Sequence, residues 1–295
     1  MNSSSGFGGL WRIFAPLVFW WLINFATQLV VTTFVLVTMW APEYLPQVID
    51  EAYSFEMIQR QIVERFLESE YMLIATSYYV FLGPIFASIY TVLAFRNDNK
   101  VEAILANFTL KKSEVGQYVL LVGLAISVSL GLNLALIMAM IAFPNLGYNQ
   151  VAANLILTLP IWLKIIGIGF IIPTAEEFLF RGLIFKRYFE RSGNLVNSMI
   201  FSAVVFGFFH SYLTQFIYAF CTGLLLAYIY NRFDTIKAPI IFRIIINLFS
   251  IALFTTGGLE WILYEPLRLP ILVVTSAFVG SLLFVLIRDR ISNIL

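Results

Sequence analysis

Apolar residues in this chain do not alternate with polar ones. They run on in long stretches of Leu, Ile, Val, Phe and Ala that carry few charges. A run of about 18 such residues is long enough to cross a bilayer as a helix. The pattern predicts eight spans, near positions 10–40, 71–95, 117–143, 155–188, 195–212, 215–230, 238–254 and 270–287. The first is longer than a bilayer needs, so it tilts or its ends lie in the interface. The fourth is interrupted by Pro160 and Pro173. A membrane barrel would show a two-residue alternation, which is missing here. The expected fold class is therefore all-α, a polytopic transmembrane helical bundle of about eight spans.

Charge enters between the apolar runs and orients them. Arg12, the group Arg96, Lys100, Lys111 and Lys112, the group Lys186, Arg187 and Arg191, the pair Arg232 and Lys237, and the pair Arg288 and Arg290 all fall on one side of this map. The segment 41–70 falls on the other, with seven acids against Arg60 and Arg65. Basic residues are retained in the cytoplasm, so both termini are expected there, in a multi-pass protein of the cell membrane. The N-terminal stretch reads as a retained signal-anchor helix, because its apolar run far exceeds a secretory core. Within 41–70, Ile58, Ile62, Phe66 and Leu67 recur at helical spacing, which predicts an amphipathic helix in the outer interface. The basic segment 96–116 reads as a cytoplasmic connector. Three regions are expected: N-terminal spans with the acidic outer loop 41–70 in 1–154, a core in 155–256, and a last span in 257–295.

Composition sharpens this picture by exclusion. Of 295 residues 60% are hydrophobic and 12% charged, and the net charge is +1. No basic patch of the kind nucleic acid requires is present. Cys221 is the single cysteine, so neither an internal disulfide nor a cysteine-rich metal cluster can form. The expected partners are the lipid bilayer and a peptide or membrane-protein substrate, with no cofactor.

An ionisable side chain within a span costs roughly 2.5–3.5 kcal/mol on insertion scales, so each one demands a reason. Four stand out: Glu176 and Glu177 in the fourth span, His210 in the fifth and Arg243 in the seventh, with Asn247 one turn after Arg243. Measured from the basic end of each helix at 1.5 Å per residue, Glu176, His210 and Asn247 lie about 14–20 Å deep and Arg243 about 8 Å. Adjacent helical residues point about 100° apart, so the two acids cannot face one spot. Glu177 and Arg181 are four apart in the favourable order for an ion pair. Glu176 is left without a partner on its own helix. Either both acids belong to a helix-packing ion network, or one is structural and the other is available for chemistry. His210 is the only histidine, with Phe206 one turn before it to shelve the imidazole or simply to pack. One His and one Cys make a poor zinc site, and no serine sits in a nucleophile-elbow pattern. A carboxylate with one imidazole can still bind and activate water.

"EEFLFRG", "FGFFH" and "APIIFRIIINL" together resemble the three ordered motifs, EExxxR, FxxxH and HxxxN or HxxxD, of the CAAX prenyl protease and bacteriocin-processing enzyme (CPBP) family of intramembrane glutamic endopeptidases. The resemblance covers roughly a quarter of the chain, from about position 171 to 248. It implies that Glu176 and His210 hold and deprotonate the attacking water, that Glu177 and Arg181 are the supporting ion pair, and that Asn247 helps stabilise the oxyanion. No metal is implied. The third motif departs from the pattern: Arg243 stands where the family has histidine. An arginine cannot act as a base, but it can donate to an oxyanion with a permanent charge, or it can snorkel toward the cytoplasm. The expected function is a metal-independent endopeptidase. The alternative is a catalytically silent scaffold that keeps the fold and binds a membrane or envelope partner. A proton or ion pathway would need polar continuity across the membrane, and the upper halves of the fourth and fifth spans lack it.

The charge asymmetry makes a direct prediction. In a Cys221→Ser background, a membrane-impermeant thiol reagent applied to intact cells should label Glu56→Cys and leave Arg290→Cys unlabelled until the membrane is permeabilised.

Overall fold

The computed structural model describes residues 7–51, 54–105, 115–143, 159–210 and 212–292. Among them the chain is helical throughout. Helix α1 (Phe7–Val35) continues through a π-helical turn, π1 (Leu36–Trp40), into α2 (Ala41–Glu51). Then come α3 (Phe55–Glu68), α4 (Glu70–Leu105) and α5 (Val115–Ala142). A broken run over 161–192 follows, made of α6 (Ile161–Leu163), π2 (Lys164–Ile171), α7 (Ile172–Glu177), π3 (Phe178–Phe185) and α8 (Lys186–Ser192). The chain closes with α9 (Leu195–Phe208), α10 (Leu213–Phe233), α11 (Lys237–Thr255), a short α12 (Gly258–Tyr264) and α13 (Arg268–Ser292).

Six helical stretches among the described residues are long and apolar enough to cross a membrane: Gly8–Glu51, Glu70–Asn99, Val115–Ala142, Leu213–Phe233, Lys237–Thr255 and Arg268–Asp289. Of the eight expected spans, the remaining two are the interrupted run 161–192 and the 14-residue α9. This is an all-α polytopic membrane protein. Its surface is inverted relative to a soluble domain, with Phe25, Val30, Val274 and Phe278 each more than 60% exposed while Glu177 and Arg181 are fully buried. Hydroxyls on these helices bond back to their own turn, as Thr27 does to the Ile23 carbonyl at 2.8 Å and Ser281 to Ala277 at 2.8 Å. In lipid, where water is not at hand, that satisfies them internally.

The expected amphipathic helix is present as α3. Ser54 caps it, accepting from the Met57 backbone N–H at 3.2 Å. Its Ile58, Ile62 and Phe66 pack on Trp40, Val48 and Ala75. Helix α4 runs on into the expected connector as far as Leu105, and the rest of that connector up to residue 114 lies outside the described residues. At the opposite end of the bundle an ion cluster ties three helices: Arg187 of α8 donates to Asp98 of α4 at 2.8 Å and to the Arg12 carbonyl of α1 at 2.6 Å, while Arg12 pairs with Glu190 at 3.1 Å.

Small residues let helices approach closely. Gly131 on α5 faces Ser276 on α13, where an added Cβ would stand 2.9 Å from the serine oxygen. Without a hydrophobic driving force between helices in lipid, such close packing is a main source of association. Gly131→Leu should therefore push α13 off α5 and destabilise the protein by about 1–3 kcal/mol, read as a lowered unfolding midpoint in detergent.

Candidate active site

The acid pair sits where the helix changes register. Segment π2 ends as the Ile172 N–H donates to the Gly167 carbonyl, five residues back. Pro173 then opens α7, whose last two residues are Glu176 and Glu177, and π3 begins at Phe178. Wide π turns on both sides of one and a half α turns rotate the two acids relative to their flanks, and such bulges concentrate at functional sites. The carboxylates part as expected. Glu177 accepts from Arg181 Nη1 at 2.8 Å, with both side chains fully buried. Arg181 Nη2 also donates to the Gly223 carbonyl at 3.1 Å. That carbonyl is within reach because α9 and α10 touch at Gly223, where a Cβ would lie 3.1 Å from the Ala203 Cα.

Glu176 finds its partner on another helix. Its Oε2 accepts from Arg243 Nη2 of α11 at 3.1 Å, and both side chains are more than 90% buried. The snorkelling alternative for Arg243 is thereby corrected: the guanidinium turns inward to a buried carboxylate, whose attraction in this setting outweighs the pull of the aqueous surface. Arg243 Nε and Nη1 are buried with no hydrogen-bond partner among the described residues.

Phe206 is the hub. Its ring centroid lies 4.7 Å from the Arg181 guanidinium carbon and 4.9 Å from that of Arg243. The negative face of an aromatic ring attracts cations strongly once water is removed. Phe180 meets the same ring edge-on at 4.7 Å and His210 at 5.1 Å. His210 lies just past α9, with Nδ1 3.0 Å from the Phe206 carbonyl. A carbonyl can only accept, so the contact calls for the proton on Nδ1, and in the neutral ring that leaves Nε2 its lone pair. The helix that precedes His210 has 14 residues and is about 21 Å long, shorter than the roughly 30 Å of a bilayer core. Non-helical backbone within such a core is tolerated where it is enclosed by protein or lines a watery cavity.

The structure does not join Glu176 and His210 directly. The acid is engaged by Arg243, and the imidazole's Nδ1 by its own helix. Glu176 and Arg243 nonetheless lie close enough for their charges to act on His210, and Phe206 touches both His210 and Arg243. Asn247 is turned elsewhere: its amide nitrogen donates to the Ile168 carbonyl in π2 at 2.8 Å.

Sequence reasoning missed the polar cluster behind Arg243. Ser129 on α5 donates to the Ile246 carbonyl at 3.0 Å, Asn133 donates to Ser250 at 2.8 Å, and Tyr218 brings its hydroxyl to the same three side chains. A Ser and an Asn four residues apart within the third span were the available signal, since together they make one polar face on an otherwise apolar helix.

These observations define a multi-pass membrane protein with two ion pairs and an imidazole gathered in its interior around one aromatic ring. A family model, described as type II CAAX prenyl endopeptidase Rce1-like, matches residues 158–249, the segment that carries both ion pairs, Phe206, His210 and Asn247. That segment is similar to the Rce1-like family, in agreement with the resemblance of the three motifs, and the similarity supports a protease of the intramembrane CAAX type in general. No curated protein and no solved structure matches the chain.

Removing one partner of a fully buried pair leaves an uncompensated charge. Arg181→Met should therefore destabilise the protein by about 3–5 kcal/mol, while Glu177→Gln combined with Arg181→Met should recover much of that loss. Denaturation in detergent micelles measures both.

Proposed function

We propose that this chain is an intramembrane endopeptidase that hydrolyses a peptide bond with water activated between Glu176 and His210. The observation that carries the reading is the fixed tautomer of His210. With Nδ1–H held by the Phe206 carbonyl, the Nε2 lone pair is left to take a proton. Glu176, pinned through Oε2, offers its other carboxylate oxygen to the same water.

The reaction follows from those positions. His210 Nε2 removes a proton from water as the water oxygen attacks the scissile carbonyl carbon. The carbonyl π electrons move onto its oxygen. Arg243 Nη1 and Nε, both buried and unpaired, are the donors offered to that oxyanion; such donors are worth about 3–4 kcal/mol in a dry site. As the oxyanion re-forms the carbonyl, the C–N bond breaks and the proton on His210 passes to the leaving amine. Glu176 offsets the positive charge that the imidazole carries in between. Glu177 and Arg181 touch none of the reacting atoms and hold α7 against α10.

The substrate class to test first is a prenylated CAAX peptide, because the matched family is described by that activity. We assign the site to a membrane with both termini in the cytoplasm. A scaffold that binds without cutting is the second reading, and the Arg243–Glu176 pair favours it by occupying one carboxylate oxygen.

Purified protein in liposomes, given quenched fluorogenic CAAX peptides with and without a prenyl group, separates the readings. Cleavage that falls by about 10²–10⁴-fold in Glu176→Gln and in His210→Ala is expected. Cleavage at the wild-type rate in either variant would contradict the mechanism. No cleavage by the wild type, with partner capture unchanged by Glu176→Gln, would establish the scaffold.

A further inference from the structure

Asn247 occupies the position that the third motif assigns to oxyanion stabilisation, yet its amide is committed to backbone. The backbone in question has a specific defect. In a π-helix the Ile168 carbonyl would accept from the N–H five residues on, and that residue is Pro173, which has none. The donor four residues on, Ile172, already bonds to Gly167. The carbonyl of Ile168 therefore has neither of its ordinary helical donors. Asn247 Nδ2 meets it at 2.8 Å. A buried carbonyl left without a donor is costly, more so at membrane depth. The same proline starts the α7 turn and a half that carries Glu176 and Glu177.

We infer that Asn247 is a positioning residue that supplies, from α11, the N–H that Pro173 lacks, and so locks the register that aims Glu176 at Arg243 and His210. The contact is a strap between two helices. One end lies one turn beyond Arg243, and the other lies five residues before the proline that starts α7. It leaves the oxyanion contact to Arg243. The catalytic half of this inference rests on the peptidase reading; the structural half does not.

A double-mutant cycle tests it, because Ala at position 173 restores the missing backbone N–H. In detergent, Asn247→Ala should lower the unfolding midpoint by on the order of 2–4 °C. Adding Pro173→Ala should return most of that loss. In the liposome assay with the prenylated fluorogenic CAAX peptide, Asn247→Ala should reduce kcat by about 10²-fold through misplacement of Glu176, and Pro173→Ala/Asn247→Ala should recover to within about threefold of Pro173→Ala alone, a residue of that order being the usual context dependence of a cycle. A midpoint that Pro173→Ala fails to restore would overturn the strap. A restored midpoint with kcat still depressed would show that the Asn247 amide acts on the substrate, overturning its assignment as a positioning residue. Should the wild-type protein cleave nothing, the midpoint cycle alone decides the strap, and the peptidase reading fails separately.

Discussion

Everything in the middle of this bundle is arranged around one constraint: four charges must be held inside a membrane protein, away from the bulk water that would solvate them. The solution is two ion pairs that meet on the ring of Phe206, Glu177 with Arg181 and Glu176 with Arg243. The formal charges cancel, and each guanidinium lies within cation–π range of that ring. Replacing such pairs by well-packed apolar residues would often be neutral or stabilising, so their presence is weak evidence for stability. On the proposed reading they are machinery. The inner pair is sealed and tied to the α10 backbone at Gly223. The other pair keeps guanidinium N–H groups without a partner among the described residues, on the ring that also meets the imidazole.

Much of this was legible in the residues alone. The long apolar runs gave the spans, because a period is not needed when every face of a helix meets lipid or another helix. The 100° step between neighbours separated Glu176 from Glu177, and the four-residue spacing paired Glu177 with Arg181. Those are local relations, set by helix geometry. The amphipathic spacing of Ile58, Ile62 and Phe66 likewise gave α3, since the pattern and the packing face are the same thing.

What was not legible depended on three-dimensional closure. Depth counted along α11 put Arg243 near the aqueous boundary and left its direction open, because a long side chain can reach either way. The carboxylate that draws it inward lies 67 residues away in sequence. The π turns at 164–171 and 178–185 were also invisible, as was the commitment of Asn247 to the Ile168 carbonyl. Pro173 was noted as an interruption, but the carbonyl it orphans becomes apparent once the five-residue register is seen. The cluster of Ser129, Asn133, Ser250 and Tyr218 depends on α5 lying against α11, which no spacing rule specifies.

The central claim is that Glu176 and His210 share one water inside the bundle. Because the chain has a single histidine, nitrogen-15 NMR of histidine-labelled protein in lipid reports on this site alone. The account predicts a neutral ring protonated on Nδ1, with Nε2 accepting a hydrogen bond from exchangeable water and shifted by Glu176→Gln. A ring protonated on Nε2, or an Nε2 that has no contact with water and does not respond to Glu176→Gln, would contradict it.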